Sequence, residues 1–501
     1  MKNFKYYSIL LLFMTMIMSY SCSDSYIDVN DSTTNPPSST PDLTLVVAQK
    51  QTADMFYNAN NAGNAFHLLG GIYAGVISDS GDRVWYDTEQ QYFINTDTYQ
   101  SLWNNTYTLP LSNYDYVENF EGIEFDNYKA VAKIMKAYHF ATLVDQYGDI
   151  PYSEAFARGL NPRPTYDDDE AIYDDLYNEL NIAIAMINNA PPETTAIAND
   201  AIMGGNMQRW QQFANTLKLR ILIKQANLSK DLSAEYSEIM NNGIGFITST
   251  VAVNPGYADQ VNQQNPFWSL HGFTPGSTTA PQRNGGATRG SETYINFMTD
   301  NLDPRVSRLF LPASSDGELR GVPQNVYETQ FDTSNTSELG PALLNSPDQD
   351  AQLMLGSEAL FLQAEAVHRG LMPGNAGDLY RSGIEASFTE MGVAAPATAA
   401  AAYELNSNNI INWDLAVANG NELEAIITQK WVAGGFITGF EVWMDRVRTN
   451  FPSFIPLPVD AVSPIFPSNL LYPTREFSTN SDNVPEQGTN AAFDRRTFWM
   501  Q

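Results

Sequence analysis

Apolar residues recur at helical spacing in several long stretches of this 501-residue chain. In the clearest stretch, residues 128–144, Tyr128 and Val131 follow one helical face while Ile134 and Ala137 follow a second. A helix with two apolar faces is typical of the interior of a helical stack. The same spacing predicts further helices over residues 173–187, 210–221, 360–367 and 426–431.

Acidic residues mark the start of the second helix, which we expect near Thr165. Asp167, Asp168 and Asp169 fill its first turn, where carboxylates complement the helix dipole. Calcium-loop spacing with its central glycine is missing, so we interpret these acids as capping residues. Helix pairs with alanine-rich faces and tight turns resemble tetratricopeptide units, although the repeat is irregular. The patterns therefore predict a mainly α fold.

Three other segments show no sustained period. Residues 78–112, 250–295 and 310–350 are rich in Gly, Asn, Ser, Thr and Gln, with scattered aromatic residues. Long irregular segments in a folded protein are usually functional or disordered, and the aromatic residues argue against disorder. We therefore expect a loop-rich half beside the helices.

The N-terminus predicts export. Lys2 and Lys5 precede a short apolar run, residues 9–18, which ends in small residues before Cys22. We interpret residues 1–21 as a lipoprotein signal peptide, and Cys22, the single cysteine, as the site of lipid attachment; the alternative is a cysteine discarded with the signal. The polar residues 22–41 read as a flexible tether, and residues 42–501 as a single body.

Charge and motifs exclude several functions. The formal net charge of −30 argues against binding of nucleic acid or of an anionic lipid surface. The sequence contains no HExxH, P-loop, dinucleotide or GxSxG motif, so no cofactor, metal ion or catalytic residue is predicted. We interpret Glu358 and Glu365 as partners of Arg369 or another internal arginine, and Arg446 and Arg448 as internal hydrogen-bond donors.

Two of the irregular segments place aromatic residues among polar ones, as a glycan site requires. Flat aromatic faces stack on sugar rings, and polar groups bind the hydroxyls. Trp85 and Trp268 are the foremost candidates, whereas Trp103 is interpreted as structural. The alternative is that these rings only anchor the loops to the body. The predicted ligand-binding residues are Arg83, Trp85, Tyr86, Tyr257, Phe267, Trp268 and Arg283.

Seven blocks of the chain, in order, resemble the SusD/RagB family, and closest is its SusD-like branch. The blocks include NYKAVAKIMKAYHFATLVDQYGDIPYSEAF from residue 127, RPTYDDDEAIYDDLYNELNIAI from 163, WQQFANTLKLRI from 210, SEALFLQAEAVHRG from 357 and ITQKWVAGGFITGFEVWMDRVRTNFP from 427. The others are SETYINFMTDNLDPR, which ends at residue 305, and LLYPTREFSTNSDN from 470. The resemblance covers almost all of the chain after the tether.

This resemblance implies tetratricopeptide-like helix pairs packed against an irregular, loop-rich half. It also implies a non-enzymatic lipoprotein, facing outward on the outer membrane. Such a protein binds an oligosaccharide or other small nutrient and delivers it to a SusC-like TonB-dependent barrel transporter. Two alternatives stay open: a surface enzyme that degrades glycans, and a helical scaffold that binds only proteins.

Overall fold

The computed structural model describes residues 39–58, 64–157, 160–195, 197–488 and 490–500. The predicted signal peptide, Cys22 and most of the predicted tether lie outside these residues. Among the described residues, no helix is long and apolar enough to cross a bilayer.

Helices make up most of the regular structure, which confirms the predicted mainly α fold. In the first half these are α1 Pro41–Tyr57, α2 Phe66–Tyr73, α3 Asp87–Gln90, α4 Gln100–Thr106, α5 Ser112–Glu118, α6 Asp126–Tyr147, α7 Asp169–Asn188, α8 Met207–Lys224 and α9 Ser233–Asn241. In the second half they are α10 Pro266–His271, α11 Glu292–Asp300, α12 Val306–Leu309, α13 Gly356–His368, α14 Ala376–Glu390, α15 Pro396–Glu404, α16 Trp413–Asn419, α17 Glu422–Gly434, α18 Gly439–Thr449 and α19 Thr474–Thr479.

Sequential helices pack in pairs. Helix α6 lies between α5 and α7, α13 packs on α14, and α18 packs on α2. Helix α6 is buried on both predicted faces, since Tyr128, Val131, Ile134 and Ala137 are each at most 3% exposed. The helix ends at Tyr147, and its C-cap, Gly148, has a φ of 80° that suits a residue without a Cβ. We call α6–α8 together with α13–α18 the helical region.

The predicted start of α7 near Thr165 is wrong. The helix begins at Asp169, and Asp168 is its N-cap, accepting a hydrogen bond from the Ala171 N–H at 3.0 Å. Asp167 lies before the helix, where its carboxylate accepts the backbone N–H groups of Tyr152 and Ser153. Asp168 therefore caps the helix, as interpreted, whereas Asp167 caps the preceding turn.

Short helices also correct the expectation of an irregular segment over residues 78–112. Helix α4 continues through a π-helical stretch, Tyr107–Leu111, into α5. The wide turn around Pro110 breaks the 3.6-residue period, which is why no helical pattern is visible in the sequence. Trp103 is 3% exposed and packs edge-on against Tyr147 with ring centroids 4.8 Å apart, which confirms its structural interpretation.

Two small antiparallel sheets hold the irregular segments together. Strand β1, Ile77–Asp79, pairs with β3, Thr288–Gly290, in the register Ser78 opposite Arg289. Strand β2, Val251–Val253, pairs with β4, Ala351–Met354. These contacts join segments more than 90 residues apart, and we call residues 77–99 and 250–350 the loop-rich region. One hydrophobic cluster runs from Leu45 to Met500 and contacts both regions.

Ion pairs are buried in the helical region. Glu358 accepts from Arg220 at 2.7 Å, and Glu365 accepts from Arg448 at 2.8 Å and from Arg369 at 2.7 Å. These contacts confirm that both glutamates serve internal arginines. Arg446 donates to the Tyr73 carbonyl at 2.8 Å, while Arg448 binds carboxylates, as expected. The remaining members of this network are Asp145, Lys224, Lys430, Glu441 and Asp445.

Candidate functional site

The β1–β3 pairing places two candidate segments side by side. The loop after β1 carries Trp85, and the segment before β3 carries Arg283. The Arg283 guanidinium lies over the Trp85 ring, 5.1 Å from its centroid, which is a cation–π distance. Trp85 remains 40% exposed, so its indole reaches solvent. Two predicted residues, 198 positions apart, therefore meet at one place.

A cavity of about 440 Å³, within the size range of small-ligand sites, lies beside Arg283. The lining side chains are mostly polar, and amide groups, which both donate and accept hydrogen bonds, recur among them. The lining residues are Lys50, Asp54, Met55, Asn58, Leu109, Val261, Asn262, Gln264, Pro266, Ser269, Leu270, Pro275, Gln282 and Arg283.

One wall of the cavity carries an ion pair. Lys50 Nζ lies 2.7 Å from Asp54 Oδ2 on helix α1, and both side chains are partly exposed. Burial raises the pKa of Asp54, and the charge of Lys50 opposes that shift. The wall therefore offers a charged donor and a charged acceptor within one helical turn.

The other predicted site residues are less exposed. Tyr86, Tyr257 and Phe267 are 3%, 7% and 8% exposed, so their rings face the protein interior. Trp268 is partly buried, and its indole N–H donates to the Phe273 carbonyl at 3.2 Å. Its ring also lies against Gly272, where an added Cβ would come within 2.7 Å of it.

Arg83 extends from the same loop as Trp85. Its side chain is 57% exposed, and its Nε lies 3.8 Å from Asp82. Arg83 does not line the 440 Å³ cavity. Of the seven predicted residues, Arg283 lines the cavity, and Trp85 contacts Arg283 without itself lining the cavity.

Tyr86 anchors a buried polar cluster below the cavity. Its hydroxyl lies 2.7 Å from Thr288 Oγ1 and accepts from Asn284 Nδ2 at 2.9 Å. Thr288 Oγ1 in turn lies 3.1 Å from His271 Nδ1. Burial lowers the pKa of His271 to about 3, so the ring is neutral at ordinary pH. This cluster connects the Trp85 loop, strand β3 and helix α10.

The contribution of α1 to the cavity is not visible in the sequence. Lys50 and Asp54 come from this helix, Asn58 is its C-cap, and Gln264 and Gln282 come from the loops around α10. The available signal was the i,i+4 spacing of Lys50 and Asp54, which indicates a helix but not a cavity wall. Their approach to Arg283 depends on contacts distant in sequence.

A second cavity, of about 220 Å³, lies among α5, α6 and α7. Its charged residues pair with one another: Lys133 contacts Glu118 at 2.6 Å and also Glu179, and Lys136 contacts Glu118 at 2.7 Å. These pairs join neighbouring helices. We therefore interpret this cavity as part of the helix packing.

Three acids, Asp149, Asp168 and Asp169, approach one another at the start of α7. Each accepts a backbone N–H group: Asp149 from Asp169, Asp168 from Ala171, and Asp169 from Phe498. Burial, together with the charges of Asp149 and Asp168, raises the pKa of Asp169 to about 6. Backbone capping accounts for the arrangement.

Residues 34–473 match a SusD-like family described as starch-binding and associating with the outer membrane. The chain belongs to this family. No curated protein sequence matches it. The helical and loop-rich regions described above are thus the two parts of a SusD-like fold.

Solved structures share this fold. A chitin-binding SusD homologue from Flavobacterium johnsoniae has a TM-score of 0.73 and 22% identity, over 91% of this chain and 98% of its own. A SusD homologue from Bacteroides fragilis has a TM-score of 0.72 and 21% identity, over 93% of this chain and 100% of its own. A chitin-binding protein has a TM-score of 0.72 and 24% identity, over 92% and 99%.

Proposed function

We propose that this SusD-like protein binds an oligosaccharide in the 440 Å³ cavity beside Trp85 and Arg283. The observation that carries the proposal is the partly exposed Trp85 indole next to a cavity rich in amide side chains. The starch-binding description of the family and the chitin-binding names of two structural relatives support a glycan rather than another nutrient.

The chemistry of the cavity suits a sugar. The indole of Trp85 presents apolar surface to the C–H groups of a pyranose ring. Asn58, Asn262, Gln264 and Gln282 can each donate to and accept from hydroxyl groups. The binding face therefore combines one stacking surface with several neutral hydrogen-bonding groups, and a glycan needs both, one for its rings and the other for its hydroxyls.

The ligand is bound without chemical change in this proposal. Glu358 and Glu365, two carboxylates on one helix, are 4% and 0% exposed and pair with arginines, and neither lines the 440 Å³ cavity. Two of the structural relatives are named as chitin-binding proteins. Purified protein incubated with its glycan should leave the chain length of the glycan unchanged; more than one cleaved bond per protein molecule would favour the enzyme alternative.

We further propose that Cys22 carries a lipid anchor and that the bound oligosaccharide passes to a SusC-like TonB-dependent barrel. The family description, which includes association with the outer membrane, supports this location. Replacing Cys22 with Ser should release the protein from the membrane fraction, since the thiol is the acceptor of the diacylglycerol. Retention of an unlipidated Cys22→Ser protein in that fraction would contradict the anchor.

Calorimetric titration with starch-derived and chitin-derived oligosaccharides tests the site. Trp85→Ala should weaken binding by about 1–3 kcal/mol, the scale of burying one large side chain. The melting temperature should change little, because Trp85 lies at the surface and is 40% exposed. Phe477→Ala is a matched control, since Phe477 is 37% exposed and lies outside the cavity lining. Unchanged affinity in Trp85→Ala would contradict the proposed site.

A further inference from the structure

Asp79 binds the backbone of the loop that carries Trp85. It is the last residue of β1 and is 1% exposed. Its Oδ2 accepts the backbone N–H groups of Trp85 at 2.9 Å and of Tyr86 at 2.8 Å. The side chains of Gln90 and Tyr327 donate to the same oxygen at 3.3 Å each. One buried oxygen therefore accepts four hydrogen bonds, two of them from the backbone of Trp85 and Tyr86 in the loop itself.

The rest of the loop is held elsewhere. Gly81 N–H donates to the Phe331 carbonyl at 2.6 Å, and Asp82 accepts from the Thr333 N–H at 2.9 Å. These contacts hold the first half of the loop, Gly81 and Asp82, against residues 328–333. The second half of the loop contains Trp85, and its backbone N–H groups donate to Asp79. Removing the Asp79 carboxylate should therefore free Trp85 while leaving the first half of the loop in place.

We propose that Asp79 is a positioning residue whose ionised carboxylate holds the Trp85 indole at the rim of the cavity, over Arg283. The part of this proposal that concerns ligand affinity rests on the proposed function; the part that concerns the position of Trp85 does not. A charged acceptor forms shorter and stronger hydrogen bonds to N–H donors than a neutral one. Protonation of Asp79 should accordingly weaken the hold on Trp85.

The surroundings of Asp79 make that protonation accessible. Burial raises the pKa of Asp79 to about 7, against the opposing effect of the N–H groups of Tyr86 and Trp85. Tyr86, Tyr327 and Glu89 are ionisable groups that act on it, and none of them is a cation. The buried cation Arg289, one position along the paired strand β3, donates to neutral oxygens of Thr288, Thr333 and Thr336. Since the pKa is raised, Asp79 is ionised above about pH 7 and becomes neutral as the pH falls through that value.

Fluorine NMR of the purified protein labelled with 5-fluorotryptophan tests the proposal without any ligand. The chain has eight tryptophans, and Trp85→Phe identifies the resonance of Trp85. In the unmodified protein this resonance should titrate with a midpoint near pH 7. Asp79→Asn should abolish the titration and keep the resonance close to its original position, since an amide oxygen still accepts N–H groups.

Asp79→Ala should shift the Trp85 resonance towards that of a solvated indole, while the other seven change little. Glu89→Gln is the control, because Glu89 is a neighbouring, partly buried acid whose pKa is also raised by burial. In that variant the titration of Trp85 should persist. A Trp85 resonance that still titrates in Asp79→Asn would overturn the proposal, even if Asp79→Ala does not fold. An unshifted resonance in folded Asp79→Ala would do the same.

Titration with starch-derived and chitin-derived oligosaccharides then separates the two proposals. If both hold, Asp79→Ala should weaken binding by up to about tenfold, the scale of one or two lost hydrogen bonds, and Asp79→Asn should restore much of the affinity. A displaced Trp85 resonance with unchanged affinity would retain the positioning role and reject Trp85 as a ligand contact. An unchanged resonance in folded Asp79→Ala would reject the positioning role, whatever the affinity.

Discussion

The helical region and the buried cluster around Tyr86 and Asp79 hold their polar groups in opposite ways. In the helical region, charges neutralise one another: Arg220, Lys430 and Arg448 pair with acids on neighbouring helices. Around Tyr86 and Asp79, the buried polar groups are largely neutral hydroxyls, amides and an unprotonated imidazole. The nearby buried Arg289 donates to neutral oxygens of Thr288, Thr333 and Thr336. A buried charge is costly unless it is paired, whereas a buried neutral group needs only its hydrogen bonds.

The difference also separates stability from binding. Removing one member of a buried ion pair leaves the other charge without compensation in a poorly solvated interior, which is costly. Removing the Trp85 ring, which is 40% exposed, should cost less stability, because substitutions at exposed positions usually have small effects on folding. Substitutions in the two regions should therefore affect different measurements, and three predictions test how far this separation holds.

The largest effect is expected at Glu365 in the helical region. Glu365→Ala removes the carboxylate that the buried Arg448 shares with the partly buried Arg369 and leaves Arg448 only its contact with Asp445, which should reduce the free energy of unfolding by about 3–5 kcal/mol. Urea unfolding followed by circular dichroism measures this change. Arg163→Ala is the control, because the Arg163–Asp482 pair is exposed and should contribute under about 1 kcal/mol. A loss of under 1 kcal/mol in Glu365→Ala would show that the network is not a principal source of stability.

The second prediction concerns Trp268, which belongs to the loop-rich region but is packed against Gly272 and Phe273. Trp268→Ala should reduce the free energy of unfolding by about 2–3 kcal/mol, somewhat less than for a fully buried tryptophan. Any loss of glycan affinity should be smaller than in Trp85→Ala. Thermal melts and calorimetric titration of both variants make the comparison. A stable Trp268→Ala protein with strongly reduced affinity would restore Trp268 as a direct ligand contact.

The third prediction uses acid pH. Although burial opposes its charge, Lys430 and Arg448 outweigh burial and lower the pKa of Asp445 to about 2. Because the pKa of a folded acid is depressed here, the stability it contributes is present above about pH 4 and is lost as the pH falls towards 2. The contribution is on the order of 2 kcal/mol. Asp445→Asn should flatten this part of the unfolding profile; an unchanged acid limb would contradict the assignment.

Local sequence patterns predicted the helices well and the cavity poorly. Tyr128, Val131 and Ile134 repeat over several turns, so the two buried faces of α6 were visible from spacing alone. Helix α4 and the π-helical stretch around Pro110 were missed because they are short and break the regular period. The start of α7 was placed early because three consecutive acids leave the capping residue ambiguous.

At the candidate site, local sequence patterns predicted even less. Composition identified Trp85, Tyr86 and Trp268 as aromatic residues in polar segments, but it could not tell an exposed ring from a buried one. The structure leaves Trp85 exposed, turns Tyr86 towards Thr288, and packs Trp268 against its own turn. Those outcomes depend on which segments pair across the sheet, and no local pattern encodes that pairing.

The sequence by itself determined the predominantly helical architecture, the membership of a SusD-like family and the internal role of Glu358 and Glu365. Those properties follow from repeated spacing and from the high cost of an unpaired buried charge. Only the folded structure shows that Trp85 meets Arg283 beside a cavity partly lined by α1, and that Asp79 accepts the backbone N–H of Trp85. Such contacts join residues far apart in the chain, so they exist only after strands β1 and β3 have paired and the helices have packed.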